Sequence, residues 1–369
     1  MKKCLFVIFN YGSGGAEHIL LNILKYNSIL KSPWNIDIFA SESSGVLKEE
    51  FSKYANIVEF PLSRLPFIGS ILKRIVFNSR FFINKLIFNK KSYDFCVAYL
   101  EGGPAKIVNN ISNASKKIAW IHTDINCFSN ATKKKYEKVY KQYKDIAFVS
   151  QDTKLKFLEV YPKFSDKRLL VLHNPIDFEE IKRKSLLKGD FAFEKKENVF
   201  TVISVGRFSK EKAMDRVVNI ARSMLNKNIS FVLIGSGVEF EKIANEVEKH
   251  GLRNIKLVGY VSNPYPYIKK ADIYLLPSKR EGYPTCLCEA LALNKPIISS
   301  NCTGVTEVLG EAGMIFPNDD TFVSNVCNYL EKISTNNDLY QELTKKSIKR
   351  SLEFNYKDKM EEIRNFIEE

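Results

Sequence analysis

The chain has 369 residues, 45% of them hydrophobic, which is enough for two domains with cores of ordinary size. No run of about 18 apolar residues occurs, so no membrane-spanning helix is expected. The net charge of +14 is uneven: basic residues exceed acidic ones by 10 over residues 1–180 (27 against 17) and by 4 over 181–369 (29 against 25). No nucleic-acid-binding module is recognisable, so this charge does not point to nucleic acid.

The opening Met1-Lys-Lys-Cys-Leu-Phe-Val-Ile-Phe-Asn10 imitates a signal peptide. Its apolar stretch covers only Cys4 to Phe9 and runs into glycines, so it reads as a first strand. Further apolar runs predict strands at 36–39, 95–99, 118–121, 146–149 and 169–172. They resume at 200–205, 231–234, 255–258, 273–276 and 296–299. Val and Ile enrichment without polar alternation predicts parallel strands buried on both faces. Alternation with helical patterns predicts doubly wound α/β sheets. The charged segment 179–198 has no strand pattern and reads as a linker between two domains, 1–178 and 199–355. A last helix is expected over 356–369. The seven cysteines are odd in number, scattered and without metal-ligand spacing, which suits reduced thiols in a cytoplasmic protein.

After the first strand comes Asn10-Tyr-Gly-Ser-Gly14-Gly15-Ala-Glu17 and then a helical run. Successive glycines before a helix let backbone N–H groups face an anion, which makes Gly14 and Gly15 binding candidates. Glu17 reads as a stabiliser of the helix start. Residues 60–93 hold seven Lys or Arg, no acid, and many large apolar side chains. Such a basic amphipathic stretch fits an anionic membrane surface, or a core helix with a basic solvent face. His122 follows the predicted strand ending Trp120-Ile121, at its carboxyl end, where open α/β sheets bind ligands.

The second half opens with a strand followed by Gly206-Arg207-Phe-Ser-Lys-Glu-Lys212-Ala213. Two further strands end in glycine turns, Gly235-Ser-Gly237 and Gly259-Tyr-Val261. The run Glu281-Gly282-Tyr283-Pro284-Thr285-Cys-Leu-Cys-Glu289 lies between a strand and a helix. It places Glu281 on a loop at a strand's carboxyl end and Glu289 inside the helix. Paired carboxylates without His or Cys partners suit a ligand rich in hydroxyls, because a carboxylate accepts two bonds from a vicinal diol.

The Glu281–Glu289 run resembles the Glu-x7-Glu motif of the family 4 (group 1) retaining glycosyltransferases. Gly14-Gly15-Ala-Glu17, Trp120-x-His122-x-Asp124 and Gly206-Arg207…Lys212 resemble further motifs of that family, with Ala213 where it usually has Gly. The resemblance covers nearly the whole chain. It implies the GT-B fold, two doubly wound Rossmann-like domains facing a central cleft, with the last helix crossing back to the first domain. It implies that Arg207 and Lys212 grip a donor diphosphate, that Glu281 and His122 contact the sugar, and that Glu289 contacts the ribose. The amides of Gly14, Gly15 and Gly282 to Thr285, with Gly235, Gly237 and Val261, would lie near donor or acceptor. The implied reaction is front-face transfer from a nucleotide-sugar, uridine-linked first and guanosine-linked second, to a glycan or lipid-linked glycan. No Asp-x-Asp occurs, so no metal and no cofactor is expected. Capsule, lipopolysaccharide or other polysaccharide assembly on the inner face of the plasma membrane would fit. A nucleotide-sugar 2-epimerase and a non-catalytic partner of another transferase are the alternatives.

Overall fold

The computed structural model describes residues 1–59, 79, 87–88, 91–189 and 195–369. The chain divides into two compact units, Met1–Pro175 with Lys357–Glu369, and Ile176–Tyr356.

The first unit is built on seven parallel strands. They are β1 (Lys3–Ile8), β2 (Asn35–Ala40), β3 (Asn56–Val58), β4 (Tyr93–Tyr99), β5 (Ala114–Ile121), β6 (Asp145–Phe148) and β7 (Arg168–Val171), in the order β3-β2-β1-β4-β5-β6-β7. Every residue from Cys4 to Ile8 is buried, as expected where helices cover both faces of a parallel sheet. Its core brings Leu5, Val7 and Phe39 together with Ile121, Phe148 and Phe157. The helix Tyr356–Glu368 closes this unit along its buried Met360, Ile363, Phe366 and Ile367. Trp34 Nε1 donates to Glu368 at 2.8 Å, and Lys116 Nζ donates to the Phe366 carbonyl at 2.7 Å.

The second unit has six parallel strands: β8 (Phe200–Val205), β9 (Ile229–Ile234), β10 (Ile255–Gly259), β11 (Ile273–Leu276), β12 (Ile297–Ser300) and β13 (Met314–Phe316), in the order β10-β9-β8-β11-β12-β13. Both sheets reverse direction beside their first strand, between β1 and β4 and between β8 and β11. Such a switch point opens a crevice at the carboxyl ends of the strands.

The eleven strands expected from apolar runs are all present, most with ends moved by a residue or two. Among the described residues two strands are additional, β3 and β13, each three residues long at a sheet edge. The charged segment expected as linker starts with the helix Phe178–Lys184, capped by the Asp177 carboxylate on the Glu180 N–H at 2.9 Å. That helix is part of the second unit, whose boundary falls at Pro175–Ile176. Of residues 60–93, all but 79, 87, 88 and 91–93 lie outside the described residues. Ile87 and Phe88 are buried in the first core.

Candidate functional site

In the second unit, the loops after β8 and β11 meet at the switch point. Pro277 to Glu281 follow β11, and several backbone anchors fix that loop. Arg216 Nη1 donates to the Pro277 carbonyl at 3.2 Å and to Asn318 Oδ1 at 2.6 Å, while Asn318 Nδ2 donates to the Lys279 carbonyl at 2.9 Å. The Lys279 N–H donates to the Glu211 carbonyl at 2.8 Å. Ser300 Oγ donates to the Ser278 carbonyl.

Glu281 is thereby aimed at Lys212. Lys212 Nζ stands 2.6 Å from both carboxylate oxygens, and Ser278 Oγ donates to Oε1 at 2.7 Å. Only 8% of the Glu281 side chain and 22% of the Lys212 side chain reach solvent, so water screens the pair weakly. Burial pulls the Lys212 pKa down, but the Glu281 carboxylate outweighs it and holds the ammonium above its usual value. Arg207 is exposed, and its charge bears on both Lys212 and Glu211.

The glycines explain how these loops approach each other. Gly235 and Gly237 have φ of +140° and +152°, and a Cβ on either would run into the backbone of Gly206 or Phe208. They therefore seat the loop after β8 that carries Arg207. The Phe208 N–H donates to the Ser236 carbonyl at 2.9 Å, and the Gly235 N–H to the Gly259 carbonyl at 2.8 Å. Val261 is buried just beyond. Ala213 takes φ +50°, ψ +45° at the start of the helix Met214–Ser223. Glycine adopts that left-handed conformation freely, and alanine pays roughly 1 kcal/mol.

Glu289 lies in the helix Thr285–Ala292, whose first turn follows Gly282, Tyr283 and Pro284. Burial raises its carboxyl to about 7, against the opposing pull of Lys184 and Lys212. The charge of the same carboxyl bears on Tyr265, whose hydroxyl burial already holds above its usual pKa. Cys286 lies within the fields of Glu281, Lys212 and Glu289, and its thiol is pushed up to about 12 by burial. Lys184, Tyr265 and Ser278 were not singled out by sequence, since none belongs to a motif; Cys286 lies inside the Glu281–Glu289 run but read only as one of the scattered thiols.

In the first unit, the candidates follow β1 and β5, which flank β4 in the sheet. Gly14 and Gly15 follow β1, and Gly14 has ordinary extended geometry before the helix Gly15–Ser28. The Glu17 carboxylate folds back over Gly14, and a Cβ there would have to displace it. His122 follows β5. Its ring packs on Tyr99 at 4.5 Å and on Trp120 at 5.7 Å between centroids. Burial lowers its pKa to about 3, so the imidazole is neutral at physiological pH. Tyr99 Oη, Trp120 Nε1 and His122 Nε2 are buried and make no hydrogen bond. Each such atom costs about 1–3 kcal/mol while it stays unmet. Asp124 is structural: it caps the turn Ile125–Cys127 and pairs with Lys156 at 2.7 Å. Glu101 was missed by sequence reasoning, although it stands just past β4 and before Gly102-Gly103.

Residues 188–350 match the family model of group 1 glycosyl transferases. The second unit thus carries a group 1 glycosyltransferase domain. It is 24% identical over 319 residues, 84% of each chain, to the Campylobacter jejuni N-acetylgalactosamine-N,N'-diacetylbacillosaminyl-diphospho-undecaprenol 4-alpha-N-acetylgalactosaminyltransferase. Over 126 residues, 31% of this chain and 34% of the other, it is 40% identical to the capsular polysaccharide biosynthesis glycosyltransferase CapH of Staphylococcus aureus. The fold matches that of Anabaena HepE, solved in complex with UDP and glucose, with a TM-score of 0.75, 14% identity and 99% of each chain covered. This transferase has the GT-B fold.

Proposed function

We propose that this glycosyltransferase moves a sugar from a UDP-sugar to a hydroxyl of a glycan or lipid-linked glycan, keeping the α configuration of the donor. The observation that carries the reading is the Lys212 ammonium held between both oxygens of Glu281 at the switch point of the second unit. That pair combines a cation for a diphosphate with an acceptor for sugar hydroxyls in one place. Arg207, exposed beside it, supplies a second cation. Glu289, protonated up to about pH 7, can donate to or accept from the ribose hydroxyls. The N–H groups of Gly282, Tyr283 and Thr285, with Pro284 between them, meet the sugar and phosphate, and Gly235, Gly237 and Val261 border the nucleotide. In the first unit, Gly14, Gly15 and the neutral His122 are the substrate-contacting groups.

The acceptor oxygen bonds to the anomeric carbon on the face that the diphosphate leaves. The C–O bond to the β-phosphate breaks, and that phosphate oxygen takes the acceptor's proton. Arg207 and Lys212 stabilise the charge developing on the leaving group, as preorganised cations do in such steps. No protein base is needed, and the cations come from the chain itself. The UDP complex of Anabaena HepE supports uridine as the donor base. The diphospho-undecaprenol in the name of the Campylobacter jejuni relative supports a lipid-linked acceptor. Such an acceptor fits an enzyme working at the inner face of the plasma membrane, for which residues 60–93 are the proposed docking segment. Among the described residues, no helix is long and apolar enough to cross a membrane.

The test presents a panel of UDP- and GDP-sugars with a short-chain prenyl-diphosphate-linked N-acetylhexosamine. Donors are screened by their protection against thermal unfolding. The product's linkage is read from its anomeric proton coupling. An α-linked product supports the reading. A β-linked product, or a chain that no nucleotide-sugar stabilises, sinks it.

A further inference from the structure

Sequence placed His122 at the end of β5 but gave no reason for its ring to hold one orientation. The structure supplies one. β4 and β5 are paired so that Tyr99 stands opposite Trp120. Glu101, two residues past Tyr99, then lies level with the residues that follow Trp120 and Ile121. Its Oε1 accepts the His122 N–H, and the Thr123 N–H at 2.7 Å. One carboxylate oxygen thus fixes two successive peptide groups just where the strand ends. Burial raises the Glu101 pKa, and its own N–H with those of His122 and Thr123 opposes that rise.

Glu101 is itself held in place. Gly102 takes φ +75°, and a Cβ there would collide with the Tyr136 hydroxyl, so the chain must turn tightly at that glycine. The helix Gly103–Asn110 starts at once. On the other side, the imidazole is clasped by the Tyr99 and Trp120 rings, and its Nε2 is left buried without a partner.

We propose that Glu101 is a positioning residue: it locks the His122–Thr123 backbone so that the imidazole, wedged on Tyr99 and Trp120, presents Nε2 to a substrate hydroxyl. This rests on the reading of His122 as a substrate-contacting group. Glu101 acts through the backbone of its neighbour, whose ring carries the contact.

The test uses the full-length chain with histidines labelled at Cε1. There are four histidines, so His122 is assigned by its loss in His122→Ala. In the wild type its signal is displaced by the currents of two rings. Glu101→Ala should move that signal further than any other histidine signal, toward the values of the other three. Glu101→Asp, one methylene too short for both amides, should do the same. Glu101→Gln keeps an acceptor oxygen and should keep the wild-type position. Hydrolysis of UDP-glucose, UDP-galactose and their two N-acetylamino counterparts is measured in parallel. On donors that the wild type turns over, Glu101→Ala should lose at least tenfold in kcat with KM changed less than threefold, and Glu101→Gln should restore it.

An unmoved His122 signal in both Glu101→Ala and Glu101→Asp overturns the proposal. So does the loss of the fold in all three variants, which would make Glu101 a folding residue alone. Full turnover by His122→Ala would remove the substrate contact of His122 but leave the Glu101 lock to be judged by the signal.

Discussion

In the free protein the charge of Lys212 is already spent on Glu281, which makes Glu281→Gln the most informative substitution. The glutamine keeps the shape and one oxygen for Lys212 and Ser278 but removes the negative charge. A diphosphate docking on Lys212 must approach that charge. With a phosphate at roughly 7 Å from the carboxylate and an effective dielectric near 20, the repulsion is about 2 kcal/mol. Removing it should tighten UDP binding by roughly tenfold to thirtyfold, since about 1.4 kcal/mol is worth tenfold. Turnover should fall by roughly 10²-fold, because the same substitution weakens the grip on the sugar. Calorimetric titration of wild type and variant with UDP, beside a transfer assay, reads both effects. A UDP affinity that is unchanged or weaker in Glu281→Gln would refute the reasoning. Glu281→Ala is the poorer experiment, because it also removes the oxygen that still accepts from the buried ammonium, and breaking such a pair outright costs about 3–5 kcal/mol in stability.

Three further outcomes are expected. Arg207→Ala should lower turnover by roughly 10²-fold, with a stability change within about 0.5 kcal/mol because Arg207 is exposed; chemical denaturation and the transfer assay check this. Glu289 has a folded pKa of about 7 against 4.5 unfolded. The folded state therefore binds the proton more tightly, and stability is lost as pH rises from about 4.5 through 7, by up to about 3 kcal/mol. Glu289→Gln should abolish that loss, so its advantage over wild type in thermal melts should be larger at pH 8 than at pH 5; an equal difference at both would reject the assignment. Neutralising Lys73, Arg74 and Arg80 together should weaken pelleting with anionic vesicles by about two powers of ten, at roughly 1 kcal/mol per residue, and salt should weaken the wild type too. Equal pelleting of both proteins would leave residues 60–93 without a membrane role.

What sequence revealed and what it hid follow from the range of the interactions. β8 and β11 were legible because buried parallel strands are apolar along their whole length. β3 and β13 were not, because three residues at a sheet edge carry no period. The strand–loop–helix setting of Glu281 was local and readable. Its union with Lys212 spans 69 residues and exists only because β8 and β11 are neighbours in the sheet. The same holds for Glu101 and His122, joined by the pairing of β4 with β5. Glycines 235 and 237 were visible as a motif, but their reason, the backbone of Gly206 and Phe208 against them, was not.

The placement of the helix Tyr356–Glu368 has a consequence for how the chain is made. The first unit is interrupted in sequence by Ile176–Tyr356, 181 residues by subtraction. At a synthesis rate of 5–20 residues per second, roughly 10–40 seconds separate its seventh strand from its closing helix. Over that interval Trp34 and Lys116 wait without Glu368 and the Phe366 carbonyl. The second unit is contiguous and can finish folding first. The N-terminal unit is thus the later one to mature, and a nascent chain stalled before residue 357 would present a finished second unit beside an unclosed first sheet.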